Sequence, residues 1–351
     1  MSNPPDFEYT GAIHIHSRFS DGSGSVAEIL SAARGTGVDF LALTDHNTLR
    51  ARDEGWEGWN GDVLLMVGDE VSSRHGHCLA LGVQTHVEHR QSAPGVLASI
   101  HAQGGLSFIA HPHGRYRPLV RTRDHSWKDW TADSFVGLEL WSYMFDWATS
   151  FHYTRFGKHY RNPDDHISGP QPETISLWDQ LCARRRVVAL GGVDVHARRY
   201  PPLPYVVFPY RDCFRTVRTH VLTDRALTRA DTEDIDILLH HLGEGHAFLA
   251  YDLLADSSGT RFWAPDIGCV VGDEHRYEGA TTLKLQLPVE ADVTILRDGL
   301  KWQISHGKQW EGVADGPGVY RVEARLRGRP WLFTNPIYLR SERPHPGNEW
   351  T

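Results

Sequence analysis

Short apolar runs alternate with amphipathic stretches over the first two thirds of the chain, a pattern that predicts strands joined by helices. The runs GAIHI (11–15), VDFLALT (38–44), VLLMV (63–67), LSFIA (106–110), FVGLEL (135–140) and VVALG (187–191) read as strands buried on both faces. A further strand falls in HVLTD or AFLAY, near residues 220–251. Between the runs, Ser25 and Glu28 stand at capping-box spacing ahead of Val26, Ile29, Leu30 and Ala33. Asp231 is placed to cap a helix carrying Ile235, Leu238, Leu239 and Leu242, with Gly243 ending it. Such alternation predicts an α/β fold with a parallel sheet, and seven or so parallel strands can close into a barrel.

From about residue 256 the period changes to two, in TTLKLQLP, ADVTILRDG, GVYRVEARL and PWLFTNPIYL, with turn residues between. That predicts a barrel over 1–255 followed by a small antiparallel β-sandwich domain over 256–351. The connections 112–134 and 142–174 are long and rich in aromatic and basic residues, a length that usually means function or disorder.

The polar residues gather where the strands end. His14 and His16 close the first run, with Asp21 in the loop beyond, and TDH puts His46 after the second. Glu70 in GDE follows the third run and His77 comes soon after it; AHPH puts His111 after the fourth. Glu139 ends the fifth, and GGVDVH presents Asp194 and His196 after the sixth. In a barrel all of these project from the carboxyl rim, where active sites are built. Composition sharpens the picture, because the chain carries 22 His beside only 3 Met. Imidazole and carboxylate without thiolate suit zinc, manganese or iron, and six histidines with three carboxylates exceed what one mononuclear site uses. Two or three divalent ions are therefore expected as cofactors, with a hydroxide shared between ions as the nucleophile.

A formal charge of −8 argues against a duplex-DNA binder, and four scattered cysteines without a C-x-x-C spacing give neither a disulfide framework nor a thiolate zinc site. Cys78, next to His77, is expected to be an apolar filler. The N-terminus lacks the pattern of a signal peptide and no apolar run is long enough to span a bilayer, so the expected location is the cytoplasm, with no membrane partner.

The ordered set H-x-H-x4-DG, TDH, G-x-E, GH, AHP and D-x-H resembles the PHP family, the polymerase and histidinol phosphatase metal-dependent phosphoesterases, over roughly residues 10–255. With GLELWSYMFDW, GVYRVEARL and WLFTNPIYL, the whole chain looks most like the CehA/McbA branch with its C-terminal β domain. The resemblance implies a distorted seven-stranded β/α barrel with a trinuclear centre. By it, His14, His16, Glu70 and Asp194 would hold one metal, Glu70, His77 and His111 a second, and Asp21, His46 and His196 a third. Glu70, Asp194, His196 and His111 would then stand at the reacting centre.

Around these ligands, Asp45 and Glu139 are candidates to orient them from behind, and His113 to line the pocket. Arg18, Arg115, Arg198 and Arg199 are candidates to meet an anionic substrate. The expected function is a multinuclear phosphoesterase acting on a phosphomonoester, a phosphodiester or a nucleotide-like molecule, with a small molecule or short oligonucleotide as substrate. Carboxyl-ester or carbamate hydrolysis on the same centre is one alternative, and a non-catalytic metal-dependent binding module is another. The later histidines His275, His306 and His345 are expected to supply no ligand.

Overall fold

The computed structural model describes residues 5–114, 124–150, 156–199 and 205–341. Its first half is built on β1 (Phe7–Ile15), β2 (Phe40–Leu43), β3 (Gly58–Asn60), β4 (Val63–Val67), β5 (Asp69–Ser73), β6 (Gly76–Leu81), β7 (Leu106–Ile109), β8 (Gly137–Ser142) and β9 (Val188–Gly192). β1, β2 and β4 pair in parallel. Gly68 then carries the chain out of that sheet, and β5 begins a second one ordered β5-β6-β7-β8-β9. The two sheets meet again at the far side, where the Val193 N–H donates to Ile13 O at 2.9 Å and the His16 N–H to Val195 O at 3.0 Å. The strands thus run in a ring from β1 through β9 and back to β1. Ile13, Phe40, Met66, Leu79, Phe108 and Leu190, from six of these strands, are buried in one core cluster.

Helices cover the ring as the periodicity expects. Val26–Ala33 starts at Ser25 with the reciprocal capping box to Glu28 formed, and buries Val26, Ile29, Leu30 and Ala33. The helix Asp231–Glu244 departs from expectation at both ends: Ala230 is its N-cap and Gly245, at φ 80°, its left-handed stop. Asp231 instead accepts from the Trp59 N–H at 2.8 Å, while Asp234, one turn in, takes the Thr228 and Arg229 N–H groups. Gly243 lies inside the helix and packs on Leu106.

The expectation of an all-parallel sheet fails in two places. β5 and β6 form a tight hairpin, and β6 runs antiparallel to β7 as well. The next two strands, β10 (Val217–Thr223) and β11 (Ala247–Tyr251), are antiparallel as well: β10 pairs with β1, and β11 with β10. The reason is physical: an apolar run records burial on both faces and carries no record of direction.

The C-terminal strands are β12 (Arg261–Ala264), β13 (Cys269–Val270), β14 (Glu274–Arg276), β15 (Thr281–Arg297), β16 (Leu300–Ala314), β17 (Gly318–Leu326), β18 (Arg329–Thr334) and β19 (Ile337–Arg340). They have their own core around Phe262, Leu285, Ile295, Tyr320 and Trp331. Their hydrogen bonds nevertheless continue the first sheet, because β18 pairs antiparallel with β11. Asn335 fastens the join: its amide donates to Ala189 O and Ala247 O and its carbonyl accepts from the Ala189 N–H, at 2.7–3.0 Å. The long connection after β8 folds into the helices Tyr143–Thr149 and Phe156–Arg161, and Tyr143, Phe145, Trp147 and Tyr160 are buried. No described helix is long and apolar enough to cross a membrane.

Away from the strand ends that carry the chemistry, His220 of β10 is fully buried between Glu8 (2.8 Å) and Asp252 (3.0 Å). Burial alone would depress this imidazole; Asp252 and Glu8 outweigh it and hold it up at about 9, against 6.5 when unfolded. A folded-state value above the unfolded one favours folding at low pH. The contribution is complete below about pH 6.5 and is lost as pH rises through about 9. We expect the urea midpoint of His220→Gln to depend less on pH than that of the wild type across this window. His220→Leu, which leaves two buried carboxylates short of a partner, should cost about 3 kcal/mol in equilibrium unfolding.

Candidate metal centre

Nine side chains that are scattered over 183 positions of sequence arrive at one end of the ring. β1 delivers His14 and His16, and it does so through a bulge: the register with β2 slips between Ile13 and Ile15, and His14 has φ 69°. His111 (φ 28°) and Asp194 (φ 50°) also adopt positive φ, a conformation costing a non-glycine residue about 1–3 kcal/mol. Three positive-φ residues at three strand ends bring their side chains into one cluster.

Glu70 sits at the middle. Its Oε2 lies 3.2 Å from both His14 Nε2 and His16 Nε2 and 2.9 Å from His46 Nδ1. Its Oε1 lies 2.7 Å from His77 Nδ1 and 3.2 Å from His111 Nε2. Asp194 Oδ1 approaches His14 Nε2 (3.4 Å) and His16 Nε2 (3.3 Å). Asp21 Oδ1 approaches His196 Nε2 (3.0 Å) and His46 Nε2 (3.7 Å). Among the described residues four donor groups result: His14, His16 and Glu70; His14, His111 and Asp194; His46, Glu70 and His77; and His16, Asp21, His46 and His196. The grouping differs in detail from the sets implied by the resemblance, since His16 and His14 each reach two groups and His46 lies close to Glu70.

These groups fit metal ions by a test internal to the structure. His14 Nε2, both ring nitrogens of His16, Asp21 Oδ1, Glu70 Oε2 and His111 Nδ1 are buried without a hydrogen-bond partner. Buried polar atoms are almost always paired, and so many unpaired at one place, pointing at one another, call for cations between them. Without metal the centre relies on charge pairing. Glu70 and Asp194 are held below the usual carboxylate range, burial being outweighed by the surrounding histidines. Burial is likewise outweighed at His16, held up at about 9 by Asp194 and Glu70. His77 and His196 are pushed down by burial.

A second layer fixes the rings. Glu139 Oε1 accepts from His14 Nδ1–H at 2.9 Å, and its Oε2 takes the His111 backbone N–H at 2.7 Å. Gly192 makes room for that carboxylate, since a Cβ there would stand 2.0 Å from Glu139 Oε1. His196 Nδ1 meets Asp194 O at 3.0 Å, leaving Nε2 to face Asp21. The Asp45 carboxylate accepts from the Ser17 N–H (2.8 Å) and Oγ–H (2.6 Å) and from Ser20, holding the loop after β1, while its backbone carbonyl takes the Glu70 N–H at 3.2 Å.

The arginines named from sequence are largely engaged. Arg18 pairs with Glu28 at 2.8 Å and Arg198 with Asp21 at 2.7 Å. Arg199 is exposed, and Arg115 lies outside the described residues. His113 bonds Thr174 Oγ1 at 2.8 Å. Cys78 is fully buried, and burial raises its thiol well above the ordinary range. His275 and His306 sit on β14 and β16, and His345 lies outside the described residues. A further residue, His125, absent from the sequence candidates, lies tilted against the His77 ring, centroids 4.4 Å apart, and edge-on to the His111 ring at 6.0 Å. Its only sequence signal is its place in the long connection after β7.

No family model matches the chain. A 121-residue segment, 31% of the chain, is 26% identical to an uncharacterized protein of Methanocaldococcus jannaschii and spans 69% of it. A 79-residue segment, 20% of the chain, is 37% identical to the phosphoribosyl 1,2-cyclic phosphate 1,2-diphosphodiesterase of Eggerthella lenta and spans 30% of that enzyme. Among solved structures, a Bacteroides vulgatus two-domain protein described as containing a predicted PHP-like metal-dependent phosphoesterase is 15% identical, with a TM-score of 0.47. The alignment covers 96% of this chain and 97% of that one. At those values no residue role passes from it to this chain.

Two outcomes are expected from the centre itself. Glu70→Gln should lower the content of metal after loading with zinc, manganese or iron, and should abolish the rise in melting temperature that metal gives the wild type. Glu139→Gln should keep the fold but weaken metal affinity by about 10–100-fold, the usual effect of losing the partner behind a ligating imidazole. Elemental analysis and thermal melts at graded metal concentrations check both.

Proposed function

We propose that the chain is a metal-dependent hydrolase of phosphoesters. The observation that carries this reading is the convergence of six imidazoles and three carboxylates with six buried, unpaired donor atoms among them. The stretch shared with the phosphodiesterase of Eggerthella lenta supports the phosphoester assignment. On this reading the ring of strands is a distorted seven-stranded barrel, in which β4 and β5 count as one, followed by a C-terminal β domain from about residue 256. The protein is a PHP-type enzyme, with the CehA/McbA branch as the best placement.

His14, His16, Glu70 and Asp194 would hold one ion, with His77 and His111 beside Glu70 and the group Asp21, His46 and His196 available to two more. Zinc, manganese or iron held there would polarise the ester and lower the pKa of water to about 7. The chain's own part is preorganisation. Glu139 keeps the proton of His14 on Nδ1, so that Nε2 faces the centre. Glu70 offers one oxygen to each side and so ties the two flanks together. Phe145 lies against the His111 ring, centroids 4.2 Å apart, and keeps water from that flank.

A second reading, hydrolysis of a carboxyl ester or carbamate, is favoured by the rim charges. Among the described residues Arg18 and Arg198 are both committed to acidic partners, which leaves that side of the centre less suited to a dianion.

The deciding experiment is turnover by metal-loaded protein on a panel of phosphomonoesters, phosphodiesters, nucleotides, carboxyl esters and carbamates. We expect phosphoester hydrolysis that is lost in chelator, returns with added metal and is absent from Glu70→Gln. Turnover confined to the neutral esters would move the assignment to the second reading. Full metal occupancy without turnover of any class would make the centre a binding module.

A further inference from the structure

The segment that carries His125 is tied down beside the metal centre with no donor of its own in it. The His125 N–H donates to Gly114 O at 3.2 Å, the Trp127 N–H to Pro112 O at 3.1 Å and the Lys128 N–H to His75 O at 2.8 Å. Trp127 is buried and anchors the segment. The approach to the β5–β6 hairpin depends on Gly76, at φ 112°, where a Cβ would stand 2.8 Å from Ser126 O and 2.9 Å from Trp127 Cα. These contacts fix the His125 ring over the Glu70, His77 and His111 flank.

The ring differs from the two imidazoles it lies against, His77 and His111, each of which meets Glu70 Oε1. His14, His46, His77 and His196 each have a ring nitrogen satisfied by a carboxylate, a hydroxyl or a carbonyl. Among the described residues neither nitrogen of His125 has a hydrogen-bond partner. It belongs to none of the four donor groups and is half-buried, so it is open to a ligand seated at the centre. Phe145 stands edge-on to it at 6.4 Å and limits its rotation.

We propose that His125 is a substrate-contacting residue, whose ring N–H donates to an oxygen of the electrophile held against Glu70, His77 and His111. The atom it meets is an oxygen that bears or gains negative charge: a non-bridging phosphoryl oxygen, or an ester carbonyl oxygen as the nucleophile adds. Strapping the ring in place before substrate arrives means that little ordering remains to be done when charge develops on that oxygen. The inference rests on the hydrolase reading for its substrate, but its central measurement does not require turnover.

The probe is inorganic phosphate, titrated calorimetrically into metal-loaded wild type, His125→Ala and His125→Gln, with metal content measured on the same samples. We expect unchanged metal content, phosphate binding weaker by about tenfold or more in His125→Ala, and partial recovery in His125→Gln, whose amide keeps an N–H. On whichever ester the wild type hydrolyses, kcat should fall by about 10²-fold in His125→Ala. Loss of metal from His125→Ala would make the residue a ligand and overturn the proposal. So would phosphate affinity equal to wild type, or a metal-loaded wild type that binds no phosphate. A wild type that binds phosphate yet hydrolyses no ester would sink the hydrolase reading alone, and the binding series would still decide His125.

Discussion

The constraint on which the rest of the structure turns is the burial of Glu70 among imidazoles. A carboxylate removed from water is costly unless countercharges and hydrogen bonds surround it, and here five histidines stand within 3.2 Å of its two oxygens. Protons can supply countercharge in the absence of metal, yet Glu70 Oε2, His14 Nε2 and both nitrogens of His16 are without a hydrogen-bond partner. Cations of higher charge shared among these atoms would remove the deficit in one step. The positive φ values at His14, His111 and Asp194 are consistent with this: strain persists at a strand end only when the surrounding structure fixes it.

The fold supplies that fixing. β1 is central to it, hydrogen-bonded to β2 on one side and to β10 on the other, and it carries two donors in three residues. Glu139, on β8, reaches across to β1 and to the end of β7, so one carboxylate sets both His14 and the His111 backbone. Small residues make the approach possible, as Gly192 does for Glu139 and Gly76 for the strap that bears His125. The C-terminal strands contribute from behind the site. Asn335 bonds to β9 and β11 together, and Arg329 donates to Asp164 O at 2.6 Å, so the lobe braces the elements that lead into Asp194 and the helices after β8.

Charge is arranged differently at the two buried clusters. Around His220 each acid is matched by a base and the hydrogen bonds close, with Ser257 and Arg218 completing the set. That is the signature of a structural network. At the metal centre the same residue types converge without closing, and the unpaired atoms face inward. The contrast, within one chain, separates a histidine that holds the fold from the histidines of the candidate centre.

The sequence by itself determined the short-range features. Strand positions such as VLLMV, the capping box of Ser25 and Glu28, and the gathering of polar residues after apolar runs are set by neighbours a few positions apart, and periodicity reads them directly. The candidate donors His14, His16, Asp21, His46, Glu70, His77, His111, Asp194 and His196, which the fold brings together, could be picked out for the same reason, since they stand at or near strand ends. Strand direction was not legible, because buried runs look alike whichever way they lie, and so β6, β10 and β11 turned out antiparallel. Nor was the union of β11 with β18, or the role of Asn335, since hydrogen bonding between strands about 80 residues apart leaves no local pattern. The tertiary structure alone decided that the Asp45 carboxylate holds a loop while that of Glu139 holds the His14 ring, that Arg198 is held by Asp21, and that His125 lies beside His77. Each of these depends on a contact made across the ring, and a contact of that kind is set by the packing of whole elements.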